Sequence, residues 1–195
     1  MTILLATAVL AVIHGAPIAS AQEVLSREEA TGRVVDAAED ALGVVGTSGR
    51  EAIGRLREVV QRHGDVDHIV SASVPQGLWA SWAPDQRGRY AEAYIGYLSR
   101  NYALALGAQD EPTIDLMRMD ATAEGDWLAI VNLRARHDGQ ELSIPLTIVV
   151  SASGLTDVLI EGQSTLKAQR DVMRRTWDAT GSFEAFLGAV DAAGR

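Results

Sequence analysis

Four residues of the types that bind metal ions lie close together in the chain: His63, Asp65, Asp67 and His68. Imidazole and carboxylate groups are common ligands of zinc, so a metal-dependent enzyme centred on His63–His68 is one hypothesis. A second hypothesis needs no metal. A histidine at the C-terminus of one helix and an aspartate at the N-terminus of the next both interact favourably with the helix dipoles. The spacing favours this second hypothesis, and we predict no metal site.

The chain has none of the sequence patterns that mark common catalytic or nucleotide-binding sites. It contains no Gly-x-Ser-x-Gly, no His-Glu-x-x-His, no phosphate loop and no Gly-x-Gly-x-x-Gly. It has no cysteine, which excludes a thiol nucleophile, a thiolate zinc site and a disulfide. Glu161, before Gly162, is the best candidate for a functional acid, but its position favours a structural role as an acceptor for turn amides. We therefore predict a protein that is not an enzyme and needs no cofactor.

Length and composition indicate one folded domain with an acidic surface. The chain has 195 residues, of which 47% are hydrophobic, enough to form a sizeable core. It carries 17 Lys and Arg against 26 Asp and Glu, a formal net charge of -9. Non-specific nucleic-acid binding requires a basic surface, so this balance argues against a nucleic-acid partner.

The N-terminal residues are typical of a secretory signal. Ile3 to Ile13 form an apolar run, and Ala19-Ser20-Ala21 matches a small-x-small cleavage site. The run is too short to span a bilayer, and it ends at His14. We predict residues 1–21 to be a signal peptide, 22–195 to be a single domain, and the mature protein to be periplasmic.

One stretch, Leu155 to Gln169, organises the predicted elements. It has the pattern of a strand, a tight turn at Gly162 and a helix for which Ser164 is the N-cap. Strand alternation puts Val158 and Ile160 on one face of the sheet and Asp157 and Leu159 on the other.

Helices are predicted on both sides of a sheet-forming segment. Capping boxes at residues 26–29 and 48–51 each open a helix, and Asp65 or Asp67 caps a third. Pro75 and Gly77 are predicted to interrupt the chain. Pro84 then starts a long helix, which contains all four tyrosines of the chain. Two further helices are predicted at about 165–180 and 182–192.

Between these helices the apolar period changes from 3.6 to 2. Residues 114–119, 127–135 and 142–150 alternate or run as strands, and Asp138-Gly139 is a strong hairpin signal. With the strand ending at Ile160, these segments predict a four-stranded antiparallel meander with one apolar face. The predicted fold class is therefore α+β, with N- and C-terminal helices packed on the sheet around an apolar pocket.

Two sets of residues carry a resemblance to a known family. One is Asp157-Val158-x-Ile160-Glu161-Gly162-x-Ser164 followed by Gln169-Arg170; the other is Trp79, Pro84-x-Gln86-Arg87, Tyr90, Tyr97-Leu98 and Tyr102-Ala103. In this order they resemble the MlaC, or toluene-tolerance, family, roughly from Asp65 to Ala192. The chain departs from that pattern at Pro75-Gln76, Ala83 and Gln163, and in its acidic charge.

The resemblance implies a periplasmic carrier of diacyl phospholipid that maintains outer-membrane lipid asymmetry. Its partners would be an outer-membrane lipoprotein complex and an inner-membrane ABC transporter, met by transient contact. A carrier of hopanoid or another apolar lipid stays open, as does a partner-binding domain with a filled core. The expected lipid-binding residues lie on the sheet face, the tyrosine helix and the flanking helices: Val70, Trp79, Tyr90, Tyr94, Leu98, Tyr102, Val131, Leu133, Ile144, Leu146, Ile148, Val158, Ile160, Leu166 and Phe186.

Overall fold

The computed structural model describes residues 25–137 and 139–194, so the predicted signal segment lies outside the described residues. Within these ranges the chain forms seven helices and five strands. The elements follow in the order α1 (Arg27–Leu42), α2 (Gly49–His63), α3 (Val66–Ala72), α4 (Gln76–Ser81), α5 (Pro84–Gly107), β1 (Asp110–Ala121), β2 (Trp127–His137), β3 (Gln140–Ser151), β4 (Gly154–Ile160), β5 (Gln163–Ser164), α6 (Thr165–Thr180) and α7 (Phe183–Ala193). None of the helices in these ranges combines the length and apolar character of a membrane span.

The five strands form one antiparallel sheet in the order β1-β2-β3-β4-β5. This confirms the predicted α+β class and the meander, to which the two-residue strand β5 is added. The register pairs Leu133 with Ile144 and Leu146 with Ile160, so these side chains share one face. The predicted hairpin is present, with His137 paired to Gln140 and a positive φ of 77° at Gly139.

Most of the predicted helix starts are confirmed by their capping bonds. The Ser26 hydroxyl accepts from the amide of Glu29, and the Glu29 carboxylate accepts from the amide of Ser26. Asp65 caps α3 and Ser164 caps α6 in the same manner. The second predicted capping box is wrong, because the side chain of Ser48 makes no capping bond. Gly49, the first residue of α2, has a positive φ of 57° and so departs from regular helix geometry.

The segment before α5 also differs from the prediction. Pro75 lies in the break between α3 and α4, as predicted, and is the N-cap of α4, but Gly77 does not interrupt the chain because it lies within α4. Pro84 starts α5 as predicted, and the Gln86 side chain accepts a hydrogen bond from the amide of Ala83. Since alanine has no side-chain acceptor, only half of a capping box forms at this helix start.

Two packed clusters flank the middle of the molecule. The first, which we call the aromatic core, lies among α3 to α7 and includes Trp82, Tyr90, Tyr94 and Phe186. The second, the sheet core, joins α1 to strands β1, β2 and β3 through Val34, Met119, Ala129, Val131 and Val150, among others. Between these clusters, part of the apolar face of the sheet is not covered by a helix.

A backbone contact holds the α2–α3 connection against the sheet. Gly64 forms an isolated parallel bridge with Leu155, and the amide of Asp65 donates to the Leu155 carbonyl at 2.8 Å. The connection thereby pairs with the N-terminal part of the outer edge of β4, while β5 pairs with the C-terminal part. This places the end of α2 beside the apolar face of the sheet.

Candidate functional site

An apolar cavity of about 450 Å³ lies between the sheet and the helices α1, α2, α3, α5 and α6. The apolar residues of its sheet side include Ile114, Leu133, Ile144, Leu146, Ile148, Val158 and Ile160. Its helical side is mostly apolar: Ala37, Ala38, Ala41, Leu56, Val59, Val60, Ile69, Leu98, Tyr102, Ala105, Leu106 and Leu166, with the polar residues His63, Thr165 and Gln169. A concave, mostly apolar cavity of this size is the usual form of a small-molecule site.

The alternation of the strands explains why the sheet side is mostly apolar. Leu133, Ile144, Leu146 and Ile160 follow one another across β2, β3 and β4 in the observed register. Leu133 and Leu146 are only half-buried, although they point away from the solvent face of the sheet. Ile160 keeps 45% of its surface exposed and also lines the cavity, so it marks the opening.

Asp157 lines the cavity, and one of its carboxylate oxygens accepts three hydrogen bonds. One of its oxygens accepts from the amides of Val158 and Leu166, at 2.8 and 3.1 Å, and from the Thr165 hydroxyl at 3.3 Å. Strand alternation was predicted to put Asp157 on the face opposite Val158 and Ile160, and the register agrees, because Asp157 pairs with Val149 while Val158 pairs with Ile148. Asp157 nevertheless lines the cavity, next to a register shift between Val149 and Val150.

The tyrosines near the cavity remain neutral over the physiological pH range. Burial, together with the negative charge of Asp157, raises the pKa of Tyr102 to about 12. Burial also raises the pKa of Tyr94 well above its ordinary value, and its hydroxyl donates to the side chain of Gln169. The cavity wall therefore presents the apolar body of Tyr102 while the hydroxyl of Tyr94 is already paired.

His63 ends α2 as predicted and lies at the edge of the cavity. Its Nε2 is 2.7 Å from an Asp40 oxygen that also accepts from Arg62 at 2.7 Å. These two hydrogen bonds, from His63 first, lower the pKa of Asp40. The Asp65 carboxylate accepts a hydrogen bond from the backbone amide of His68. In the part of the chain that the structure describes, no group of three or more His, Asp or Glu side chains could hold a metal ion.

Nine of the predicted site residues line the cavity: Leu98, Tyr102, Leu133, Ile144, Leu146, Ile148, Val158, Ile160 and Leu166. The other six do not line it and lie in the two packed clusters instead: Val70, Trp79, Tyr90, Tyr94, Val131 and Phe186. The reason is that other side chains already fill the space beside them. Tyr90 stacks on Phe186 and on Tyr94 at centroid distances of 5.6 Å, and Val131 is covered by α1.

Sequence reasoning missed the contribution of α1 and α2. Ala37, Ala38 and Ala41 of α1 and Val59 and Val60 of α2 line the cavity. The available signal was the size of the α1 side chains, since alanines grouped on a helix leave space between that helix and its neighbour. An apolar stripe alone does not distinguish a helix packed on the sheet from a helix that stands away from it.

Comparison with known proteins agrees with the fold. The family model described as MlaC protein matches residues 28–188, and the chain therefore belongs to the MlaC family. Among solved structures, a phospholipid-binding protein from Ralstonia solanacearum, determined in complex with a phospholipid, has a TM-score of 0.62 and 17% sequence identity. The alignment covers 85% of this chain and 96% of that one, so the two share a fold. No match was found among curated proteins.

Proposed function

We propose that this protein is a phospholipid carrier that holds lipid acyl chains in the apolar cavity. The observation that carries the proposal is the cavity itself, which is walled by aliphatic side chains and opens beside the exposed Ile160. Two further findings support it: membership of the MlaC family, and a shared fold with a protein that was solved with a phospholipid.

The energetics of lipid transfer explain why such a cavity is needed. Removing an acyl chain of about sixteen carbons from a membrane exposes methylene groups worth about 0.8 kcal/mol each, or about 12 kcal/mol in all. A carrier must replace most of that stabilisation with its own apolar surface. The described cavity supplies such surface without catalysis, metal or cofactor, which agrees with the lack of catalytic patterns in the sequence.

The same proposal includes the place and the partners of the protein. We infer export to the periplasm with removal of residues 1–21, followed by transport of phospholipid between an outer-membrane lipoprotein complex and an inner-membrane ABC transporter. Family membership supports this role. His63 lines the cavity and contacts Asp40, which also accepts from Arg62, and these polar groups are suited to contact a head group or solvent rather than an acyl chain.

A pair of substitutions on adjacent residues of β3 tests the proposal. Leu146 lines the cavity. Thr147 lies on the other face of the same strand, where it pairs with Ile130 of β2 and Leu159 of β4. Leu146→Trp should fill part of the cavity, at a packing cost of about 1–3 kcal/mol, and lower the amount of bound lipid. Thr147→Trp adds the same side chain outside the cavity and should keep the wild-type amount.

Native mass spectrometry of the three proteins, with lipid extraction as a second readout, measures this directly. Equal lipid occupancy in all three would exclude the sheet face as the site. If wild-type protein binds no phospholipid, whether purified or incubated with phospholipid vesicles, the carrier function itself is refuted. A polycyclic lipid in the extract would replace phospholipid as the ligand.

A further inference from the structure

We propose, on the basis of the carrier function above, that Tyr102 and Gln169 donate hydrogen bonds to the ester carbonyl oxygens that join the acyl chains of a phospholipid to its glycerol. The two residues then determine specificity for the linkage of the lipid. They favour ester-linked phospholipids over lipids of the same size that have no carbonyl group at the linkage.

Four polar side chains interrupt the otherwise apolar wall of the cavity. They are Tyr102 of α5, Asp157 of β4, and Thr165 and Gln169 of α6, and we call them the polar band. Thr165 and Gln169 are four residues apart on one helix and therefore share a face. The hydroxyl of Thr165 donates to Asp157 at 3.3 Å, which joins α6 to β4. The polar band therefore brings hydrogen-bonding groups from three elements to one wall.

The side-chain amide of Gln169 is oriented by the aromatic core. Its Oε1 accepts a hydrogen bond from the hydroxyl of Tyr94, which is buried in that core. Because one end of the amide is engaged in this way, the other end presents two N–H donors. In the part of the chain that the structure describes, those donors make no hydrogen bond. Gln169 can therefore bind an acceptor on a ligand without giving up its bond to Tyr94.

The hydroxyl of Tyr102 is the second donor. Burial, followed by the negative charge of Asp157, raises the pKa of Tyr102 to about 12, so the hydroxyl keeps its proton at physiological pH. Among residues 25–137 and 139–194, no group accepts a hydrogen bond from it. A lipid that displaces water from this wall must supply acceptors, because unpaired donors in an apolar site are unfavourable.

The two donors lie near each other. Gln169 is bonded to Tyr94, and the pKa of Tyr94 is raised by burial first and then by the neighbouring Tyr90 and Tyr102. Tyr94 thus adjoins both members of the pair. The two ester carbonyls of a diacyl phospholipid are attached to adjacent carbons of one glycerol, so neighbouring donors suit them.

Asp157 explains why the acceptor is an ester and not the phosphate. Its negative charge repels an anionic phosphate, whereas an ester carbonyl is uncharged and does not meet that repulsion. Asp157 lies three residues before Ile160, about 10 Å along an extended strand. Ile160 is 45% exposed and marks the opening, so the phosphate is left on the solvent side of the polar band.

Two phospholipids that differ only in their linkage test the inference. Dipalmitoyl phosphatidylcholine has ester carbonyls, and dihexadecyl phosphatidylcholine has chains of the same length on ether linkages. The purified protein is incubated with vesicles that contain equal amounts of both, and native mass spectrometry measures how much of each lipid it binds. The wild type should bind the ester lipid about 5- to 150-fold in preference, which corresponds to two neutral hydrogen bonds.

Variants assign this preference to the two donors. Tyr102→Phe and Gln169→Leu should each lower it by about 2- to 12-fold, the value of one hydrogen bond, and the double variant should abolish it. Tyr97→Phe is the matched control, because it removes a hydroxyl from the same helix at a residue that does not line the cavity. It should keep the wild-type preference.

The outcomes separate the inference from the carrier function. Equal binding of the two lipids by the wild type would overturn the inference while the carrier function stands, and this comparison needs no variant to fold. A preference that persists in Tyr102→Phe, or that is lost in Tyr97→Phe, would also overturn it. Binding of neither lipid would refute the carrier function itself.

Discussion

Gly154 lies where the α2–α3 connection crosses the start of β4, and its replacement by alanine should separate the two. Its φ is +145°, a backbone conformation that residues other than glycine rarely adopt. An added Cβ would lie 2.8 Å from the amide nitrogen of Asp65 and 2.8 Å from the carbonyl oxygen of His63. Both contacts are with backbone atoms, so no side chain can rotate away to relieve them.

The magnitude follows from these two causes and from the bond that would be lost. The unfavourable backbone conformation costs about 1–3 kcal/mol. Moving the connection away breaks the hydrogen bond from the Asp65 amide to the Leu155 carbonyl, and leaving those groups unpaired costs about another 1–3 kcal/mol. We expect Gly154→Ala to lower the free energy of unfolding by about 2–6 kcal/mol, equivalent to about 4–24 °C in Tm for a chain of this length.

Gly162 supplies a matched control. It also has a positive φ, +77°, but an added Cβ there would meet no atom within 4 Å. Gly162→Ala should therefore cost only the conformational part, about 1–2 kcal/mol. Urea unfolding followed by circular dichroism measures both variants against the wild type. Equal losses in the two variants would show that the close approach at Gly154 contributes nothing, and would refute the packing argument.

Two further predictions concern the aromatic core and the tyrosine beside the cavity. Phe186→Ala should lower the free energy of unfolding by about 3–5 kcal/mol, because Phe186 is fully buried. The lipid occupancy of the folded protein should not change, because Phe186 lies outside the cavity. A loss of bound lipid at unchanged stability would contradict this prediction. Tyr102 has a folded pKa of about 12 against 10.0 in the unfolded chain, so its contribution to stability is complete below pH 10 and is lost between pH 10 and about 12. Across that pH range, the free energy of unfolding should fall less steeply for Tyr102→Phe than for the wild type. Identical slopes for the two proteins would refute the raised pKa of Tyr102.

The features that could be predicted correctly from the sequence are those that depend only on residues close together in the chain. The Ser26, Asp65 and Ser164 caps each satisfy an amide three residues along the chain, which a short segment specifies by itself. The alternation of apolar side chains in β2 and β3 fixes which of them share a face once the strands pair. The family motif from Asp157 to Ser164 likewise lies within one strand, one turn and one cap.

Tertiary structure alone decided where the chain leaves space. Tyr94 and Tyr102 lie on one helix and one apolar stripe, yet Tyr94 is packed against Tyr90 while Tyr102 lines the cavity. The difference arises because α7 covers the first half of α5 and not the second. A cavity is a set of contacts that distant elements do not make, so its position depends on how far each helix stands from the sheet. The residue types along one helix do not reveal that distance, so the sequence alone could not locate the cavity or place Asp157 in its lining.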